Sequence, residues 1–112
     1  MKQFRQGDVF LEEVDPKTVP TKGRITIPKD GNRTILAYGE VTGHAHAILD
    51  PEDVEQGTEF FEFENGERFL VTPRGISLVH EEHGTIELPP AMFRVTIQRE
   101  YQEDGSWQAV MD

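Results

Sequence analysis

Residues 58–72, TEFFEFENGERFLVT, place two short apolar segments on either side of the tetrapeptide Glu64-Asn65-Gly66-Glu67. An Asn-Gly pair supplies the positive φ angles of a tight primed turn, which is a turn that joins neighbouring antiparallel strands. The stretch therefore predicts a β-hairpin with strands at residues 58–63 and 68–72.

The stretch FRVTIQREY at residues 93–101 alternates between apolar and polar side chains. Successive side chains of a strand point to opposite faces of the sheet, so the apolar residues of this stretch share one face. Those residues are Phe93, Val95, Ile97 and Tyr101. The pattern predicts a strand with one buried face and one face in water.

Turn-forming residues divide the rest of the chain into short segments. Asp104-Gly105 predicts a hairpin into residues 107–110, and Lys29-Asp30-Gly31-Asn32 predicts another turn. Residues 51–56 could form one helical turn, because Pro51 suits the first position of a helix. Further strands are expected at residues 8–14, 24–27, 34–38, 44–49 and 76–80.

So many short strands in 112 residues would leave exposed edges unless the sheet closes on itself or two sheets pair face to face. We therefore predict one all-β domain over residues 1–112. Its expected form is a single small β-barrel or β-sandwich of about eight to nine short antiparallel strands.

The composition restricts the chemistry and the surroundings of the protein. No cysteine is present, so any metal must be held by imidazole and carboxylate groups. No apolar run approaches the roughly 20 residues of a membrane-spanning helix, and the first residues lack a secretory signal. A cytoplasmic protein without a membrane partner is expected.

The charge is strongly negative, with 21 acidic and 11 basic residues and a net charge of −10. This charge repels a phosphate backbone, so nucleic acid is not an expected partner. The acidic surface either keeps the domain soluble or docks on a basic protein partner.

All four histidines fall into two short-range pairs, His44-Ala45-His46 and His80-Glu81-Glu82-His83. His44 and His46 project from the same face of a predicted strand, and a metal is a common partner of buried imidazoles. The second pair either joins the first or lies in a solvated turn. The spacing predicts one site for a divalent transition metal, Zn, Ni, Mn or Fe, with His44, His46, His80 and His83 as candidate ligands.

Two segments resemble the motifs of the cupin family. The first cupin motif, a glycine followed by His-x-His, a carboxylate and a second glycine, resembles Gly39, His44-Ala45-His46, Asp50 and Gly57. The second motif resembles Gly66, Pro73-Arg74-Gly75 and His80. Cupins are small β-barrels that bind iron, manganese, nickel, zinc or copper. The resemblance implies a metal inside a barrel, with His80 or His83 as third histidine ligand and Asp50 as carboxylate ligand.

The whole chain also resembles a family of small uncharacterised bacterial and phage proteins. The resemblance is carried by Gln6-Gly7-Asp8-Val9, by residues 39–46 and by Gln98-Arg99-Glu100-Tyr101. It implies no activity.

Three functional hypotheses follow. In a metal-dependent hydrolase or oxygenase of the cupin type, an open position on the metal takes water or substrate, and Glu82, Glu81 or Asp50 transfers protons. In a non-enzymatic interaction module, such as a phage-type inhibitor or assembly protein, four ligands close a structural site. Such a module acts as a homo-oligomer or on a protein partner. Without a metal, His44 and His46 are hydrogen-bonded in a polar core or face a neighbouring subunit.

Overall fold

A computed structural model describes residues 1–38, 44–49, 57–81, 83–101 and 107–109, and of residues 99–101 and 107–109 only the backbone. In these ranges the chain forms twelve strands and one three-residue 3-10 helix, Pro16–Thr18. The strands are β1 Gln3–Gln6, β2 Val9–Val14, β3 Ile25–Thr26, β4 Arg33–Tyr38, β5 Ala45–Leu49, β6 Glu59–Glu62, β7 Arg68–Thr72, β8 Ile76–Val79, β9 Ile86–Leu88, β10 Ala91–Ile97, β11 Arg99–Tyr101 and β12 Trp107–Ala109. No helix in the described ranges is both long and apolar enough to cross a membrane.

Ten of the strands form two antiparallel sheets, which confirms the all-β prediction. The six-stranded sheet has the order β1-β2-β10-β7-β6-β3, and the four-stranded sheet has the order β4-β5-β8-β9. Strands β11 and β12 pair as a separate hairpin. Each of the two larger sheets keeps two edge strands, so the described residues form no closed barrel and the arrangement is sandwich-like.

One apolar core lies between the two sheets. The six-stranded sheet contributes every second residue of its central strands, since alternate side chains point to the same face. The residues of this core are Val9, Leu11, Phe60, Leu70, Phe93 and Val95 from the six-stranded sheet, and Leu36, Ile48, Leu78 and Leu88 from the four-stranded sheet. A second cluster, Val19, Phe61, Phe69 and Met92, covers the outer face of the six-stranded sheet.

The hairpin at residues 58–72 is confirmed as the pair β6 and β7, in which Phe60 lies opposite Leu70. Its turn differs from the expectation, because Gly66 has a φ of 91° and no non-glycine residue in the described ranges has a positive φ. The turn therefore needs one positive φ angle and not two.

The long strand expected at residues 93–101 is divided into β10 and β11 at Gln98. Within β10 the alternation is as predicted, since Phe93 and Val95 are buried whereas Arg94 and Thr96 are exposed. Strand β1 was not predicted. The helical turn suggested for residues 51–56 lies outside the described residues.

Candidate metal centre

Strand pairing brings the two histidine pairs together. Strands β5 and β8 run antiparallel, with Ala47 opposite Val79 and Ile48 opposite Leu78. One further step along this register places His46 beside His80, and their ring centroids are 4.3 Å apart. The two short-range pairs of the sequence therefore meet at one end of the four-stranded sheet.

All four imidazoles belong to one group, which we call the histidine cluster. His80 lies at its centre. The centroid of the His80 ring is 5.7 Å from the centroid of the His44 ring and 4.9 Å from the centroid of the His83 ring. The rings of His46 and His83 are nearly parallel at 6.0 Å. The structure thus brings together His44, His46, His80 and His83, the four histidines that the spacing grouped.

Three residues, two histidines of the cluster and the neighbouring Glu81, lie close enough together to be candidate metal ligands. His44, His80 and Glu81 each offer one ligand atom, and these atoms all lie within 4.8 Å of one another. His44 is half-buried, His80 is buried and Glu81 is exposed. We call these three residues the rim triad.

The carboxylate of Glu81 is held in place by the backbone of the first pair. The Ala45 N–H donates to Glu81 Oε2 at 2.9 Å. This hydrogen bond is the main cause that keeps the pKa of the Glu81 carboxyl below its usual 4.5, aided by the N–H of Glu81 itself and by the charges of His44 and His80. Glu81 is therefore ionised at neutral pH, as a metal ligand must be.

His46 lies deeper, with none of its surface exposed. Its Nδ1 is 2.8 Å from Gln6 Oε1, and its Nε2 is 3.3 Å from Asp8 Oδ1. Gln6 and Asp8 flank the turn between β1 and β2, where Gly7 has a φ of 58°. The tip of this hairpin therefore closes the inner side of the cluster.

The hydrogen bonds of Gln6 determine which nitrogen of His46 carries a proton. Gln6 Nε2 donates to the carbonyls of Leu78 and Gly84, at 3.0 Å and 2.9 Å. With both amide hydrogens used, Gln6 Oε1 must accept, so the proton of this contact is on His46 Nδ1. His46 Nε2 then faces the buried Asp8 carboxylate, as an imidazolium paired with it or as a lone pair beside it.

A backbone hydrogen bond connects the two histidines of the second pair. The His83 N–H donates to His80 Nδ1 at 3.3 Å. A metal at His80 Nδ1 would replace this bond, and a metal at Nε2 requires the proton on Nδ1, which then cannot accept. In either case metal binding and this hydrogen bond exclude each other.

Two further predicted residues, Asp50 and Glu82, lie outside the described residues, as does Gly39. His83 is half-buried, and its Nε2 has no hydrogen-bond partner within the described part of the chain. Its place as a fourth ligand stays a prediction.

The sequence did not predict Gln6 and Asp8 as residues of the site. A strand was expected from Asp8 onward, but no strand was assigned before it. The sequence does contain a pattern typical of a tight hairpin turn at this point. Gly7 lies between two polar residues, and apolar residues follow on either side at Phe4 and Val9.

The fold and the cluster define a class, a small antiparallel two-sheet protein with histidines gathered at one end of its smaller sheet. The chain belongs to the family described as a domain of unknown function, DUF8820, whose model matches residues 5–98. That span includes Gln6, Asp8 and both histidine pairs. Comparisons with curated proteins and with solved structures gave no match.

Proposed function

We propose that the protein binds one divalent transition metal ion through the rim triad and uses an open coordination position of that ion for catalysis. The observation that carries this proposal is the convergence of the ligand atoms of His44, His80 and Glu81 within 4.8 Å. Two imidazoles and one carboxylate form the ligand set of catalytic zinc in several hydrolases and of non-haem iron in oxygenases. Both uses need a position left for water or substrate.

In this proposal Glu81 is a metal ligand and not the group that transfers protons. A carboxyl whose pKa is lowered is a weak general base, but it is a permanently charged ligand at neutral pH. Proton transfer would then fall to Asp50 or Glu82, the other carboxylates that the sequence indicated. The cupin resemblance includes His44 and His80 among its ligands, but it also implies His46 and Asp50, which are not part of the rim triad.

The remaining two histidines decide how many positions stay open. His46 makes contacts with Gln6 and Asp8, which support a structural role behind the metal. If His83 ligates, four ligands close a tetrahedral site and the metal is structural. If it does not, the ion keeps a position for chemistry.

A second candidate function is an interaction module without a metal. The contacts of the fully buried His46 with protein groups favour it, because they show that at least one histidine is accommodated without an ion. In this alternative the acidic surface acts on a protein partner or on a second copy of the chain.

The test is metal analysis of the untagged protein, followed by thermal unfolding with added Zn, Ni, Mn or Fe(II). We expect about one equivalent of one metal and a rise in Tm, because a ligand at about 100 times its Kd stabilises by about 2.7 kcal/mol. Less than about a tenth of an equivalent, with no rise in Tm for any of the metals, would reject the metal proposal.

A pair of matched variants tests the ligand set. Glu81→Gln removes the negative charge of the rim triad, and we expect it to weaken metal binding by about tenfold or more. Glu87→Gln, at the exposed position of strand β9 where the Ser77 hydroxyl donates to the carboxylate, should leave the affinity unchanged. Equal affinities of the two variants would exclude Glu81 as a ligand.

Substitution with Co(II) then separates a catalytic from a structural metal. Added azide should change the visible d–d bands of the Co(II) protein if a coordination position is open. Unchanged bands would indicate a closed site and a structural metal.

A further inference from the structure

The turn between β6 and β7 contains the dipeptide Asn65-Gly66, which is chemically reactive as well as turn-forming. The main-chain nitrogen that follows an asparagine can attack the side-chain amide carbon, and a glycine at that position leaves the attack unhindered because it has no Cβ. The second asparagine of the chain, Asn32, is followed by Arg33, whose side chain hinders the same attack. By sequence, Asn65 is therefore the more reactive of the two asparagines.

The folded hairpin holds the nitrogen that would attack. The Gly66 N–H donates to the Phe63 carbonyl at 2.9 Å, and the Phe63 N–H donates to the Glu67 carbonyl at 2.9 Å. These two bonds close a three-residue loop, in the form of a type I turn followed by a glycine with a positive φ. Since the Gly66 nitrogen must lose its proton to attack, its bond to Phe63 has to break first.

The carboxylate of Glu67 holds the side chain that would be attacked. Asn65 Nδ2 donates to Glu67 Oε1 at 3.0 Å, and Glu67 Oε2 lies 3.4 Å from Arg94 Nε on strand β10. The Glu67 N–H also donates to Asn65 Oδ1, at 2.9 Å. The attack places negative charge on the Gly66 nitrogen and then on Asn65 Oδ1, and a neighbouring carboxylate disfavours both. The side chain of Glu67 therefore opposes the reaction.

We propose that Asn65 is a site of spontaneous deamidation, and that the folded hairpin suppresses the reaction through the Gly66 N–H bond and through Glu67. The Gly66 nitrogen loses its proton and forms a bond to Asn65 Cγ. The bond from Cγ to Nδ2 breaks, and Nδ2 takes up a proton and leaves as ammonia. Water then opens the five-membered imide at either carbonyl, which gives aspartate or isoaspartate. The site is independent of the rim triad.

Either product weakens the hairpin that formed it. A carboxylate at position 65 cannot donate to Glu67 Oε1 and repels it instead. In isoaspartate the main chain runs through the former side chain and is longer by a methylene group, which does not fit the short loop between β6 and β7. An opening of the hairpin thus leads to a covalent change that favours the open form.

The experiment incubates the full chain at neutral pH, folded in buffer and unfolded in guanidinium chloride. Peptide mass spectrometry follows the formation of aspartate and isoaspartate at positions 65 and 32. In the unfolded chain we expect faster conversion at Asn65 than at Asn32. In the folded chain conversion at Asn65 should be slower by about tenfold or more, because only molecules with an open hairpin react.

Two matched variants test the role of Glu67. Glu67→Ala removes the carboxylate but keeps the N–H that bonds to Asn65, and it should speed conversion in the folded chain by about two- to tenfold, the effect of one hydrogen bond on an opening equilibrium. Exchange of the Gly66 amide should become faster with it. Glu64→Ala removes the same charge from the same exposed loop and should change little. In guanidinium chloride both variants should react like the wild type.

Equal rates at Asn65 in the folded and the unfolded chain would overturn the proposal, because the hairpin would then give no protection. Conversion at Asn65 that is no faster than at Asn32 in guanidinium chloride would overturn it as well. Equal rates in folded Glu67→Ala and Glu64→Ala would overturn the role of the Glu67 carboxylate. These results do not depend on whether the rim triad binds an ion.

Discussion

His46 and the rim triad lie side by side, yet their polar groups are satisfied in different ways. His46 is fully buried and contacts Gln6 and Asp8, which come from a hairpin far away in the sequence. His44 is half-buried, His80 is buried and Glu81 is exposed, and their ligand atoms all lie within 4.8 Å of one another. The difference teaches that His46, the inner part, has its polar partners within the folded chain, whereas the rim triad, the outer part, is the part of the site to which we assign the proposed metal.

The largest effect expected from this difference is on stability without metal. His46→Ala should lower the free energy of unfolding by about 2–4 kcal/mol, because it leaves a cavity and removes the partner of Gln6 Oε1. His44→Ala, at a half-buried position, should cost less than about 1 kcal/mol. Urea unfolding in the presence of a chelator measures both.

Equal losses in these two variants would remove the distinction between the inner and outer parts. A loss of unfolding free energy in His44→Ala but not in His46→Ala would show that the outer part, and not the inner part, contributes to stability.

The next effect concerns Gln6, which connects the β1–β2 turn to the second histidine pair. Gln6→Glu keeps an oxygen near His46 but places a carboxylate against the carbonyls of Leu78 and Gly84. We expect a loss of about 1–3 kcal/mol in unfolding free energy, since one buried and one partly buried hydrogen bond are removed. Gln3→Glu, on the exposed part of β1, is the matched control.

A stability of Gln6→Glu that equals that of the control would show that the amide does not fix the cluster. The tautomer assigned to His46 would then lose its support.

A smaller, local effect is expected at the backbone of His83. Because metal binding at His80 and the His83 N–H hydrogen bond exclude each other, the ion should release this amide. Amide exchange at His83 should then become faster on adding metal, while exchange in the core strand β10 stays slow. Slower exchange at His83 with metal would contradict ligation through His80.

The smallest effect concerns pH. The pKa of the Glu81 carboxyl is lowered in the folded protein below its usual 4.5, mainly by the N–H of Ala45. Its contribution to stability is therefore fully present above pH 4.5 and is lost as the pH falls through the lowered folded value. The difference in stability between the wild type and Glu81→Gln should be constant above pH 5 or so and should vanish in stronger acid.

A difference that persists unchanged in strong acid would show that Glu81 acts through packing and not through its charge. Urea unfolding across this pH range makes the measurement.

The sequence predicted the parts of the fold that depend on local pattern. Alternation at residues 93–97 and the hairpin at residues 58–72 are properties of neighbouring residues, and both were found, although the turn of the hairpin has one positive φ angle and not two. The order of strands within the two sheets depends on pairings such as β10 with β2, which join residues far apart in the chain. No periodicity in a single sequence records such a pairing.

The residues of the candidate site also differ in whether a local sequence pattern could predict them. His44 and His46, like His80 and His83, could be grouped because each pair is close in sequence, and the pairing of β5 with β8 then joined them. Gln6 and Asp8 could not be added, because their place beside His46 depends on where the β1–β2 hairpin packs. Glu81 was predicted to transfer protons, and the hydrogen bond that it accepts from the Ala45 N–H, which the sequence did not indicate, is the reason for its proposed role as a ligand.

Anomalous diffraction from crystals soaked in zinc tests the central claim most directly. The account predicts one strong peak, bound by an imidazole nitrogen of His44, an imidazole nitrogen of His80 and a carboxylate oxygen of Glu81, at about 2.0–2.2 Å. A peak between His46 Nε2 and Asp8, or no peak at the histidine cluster, would contradict it.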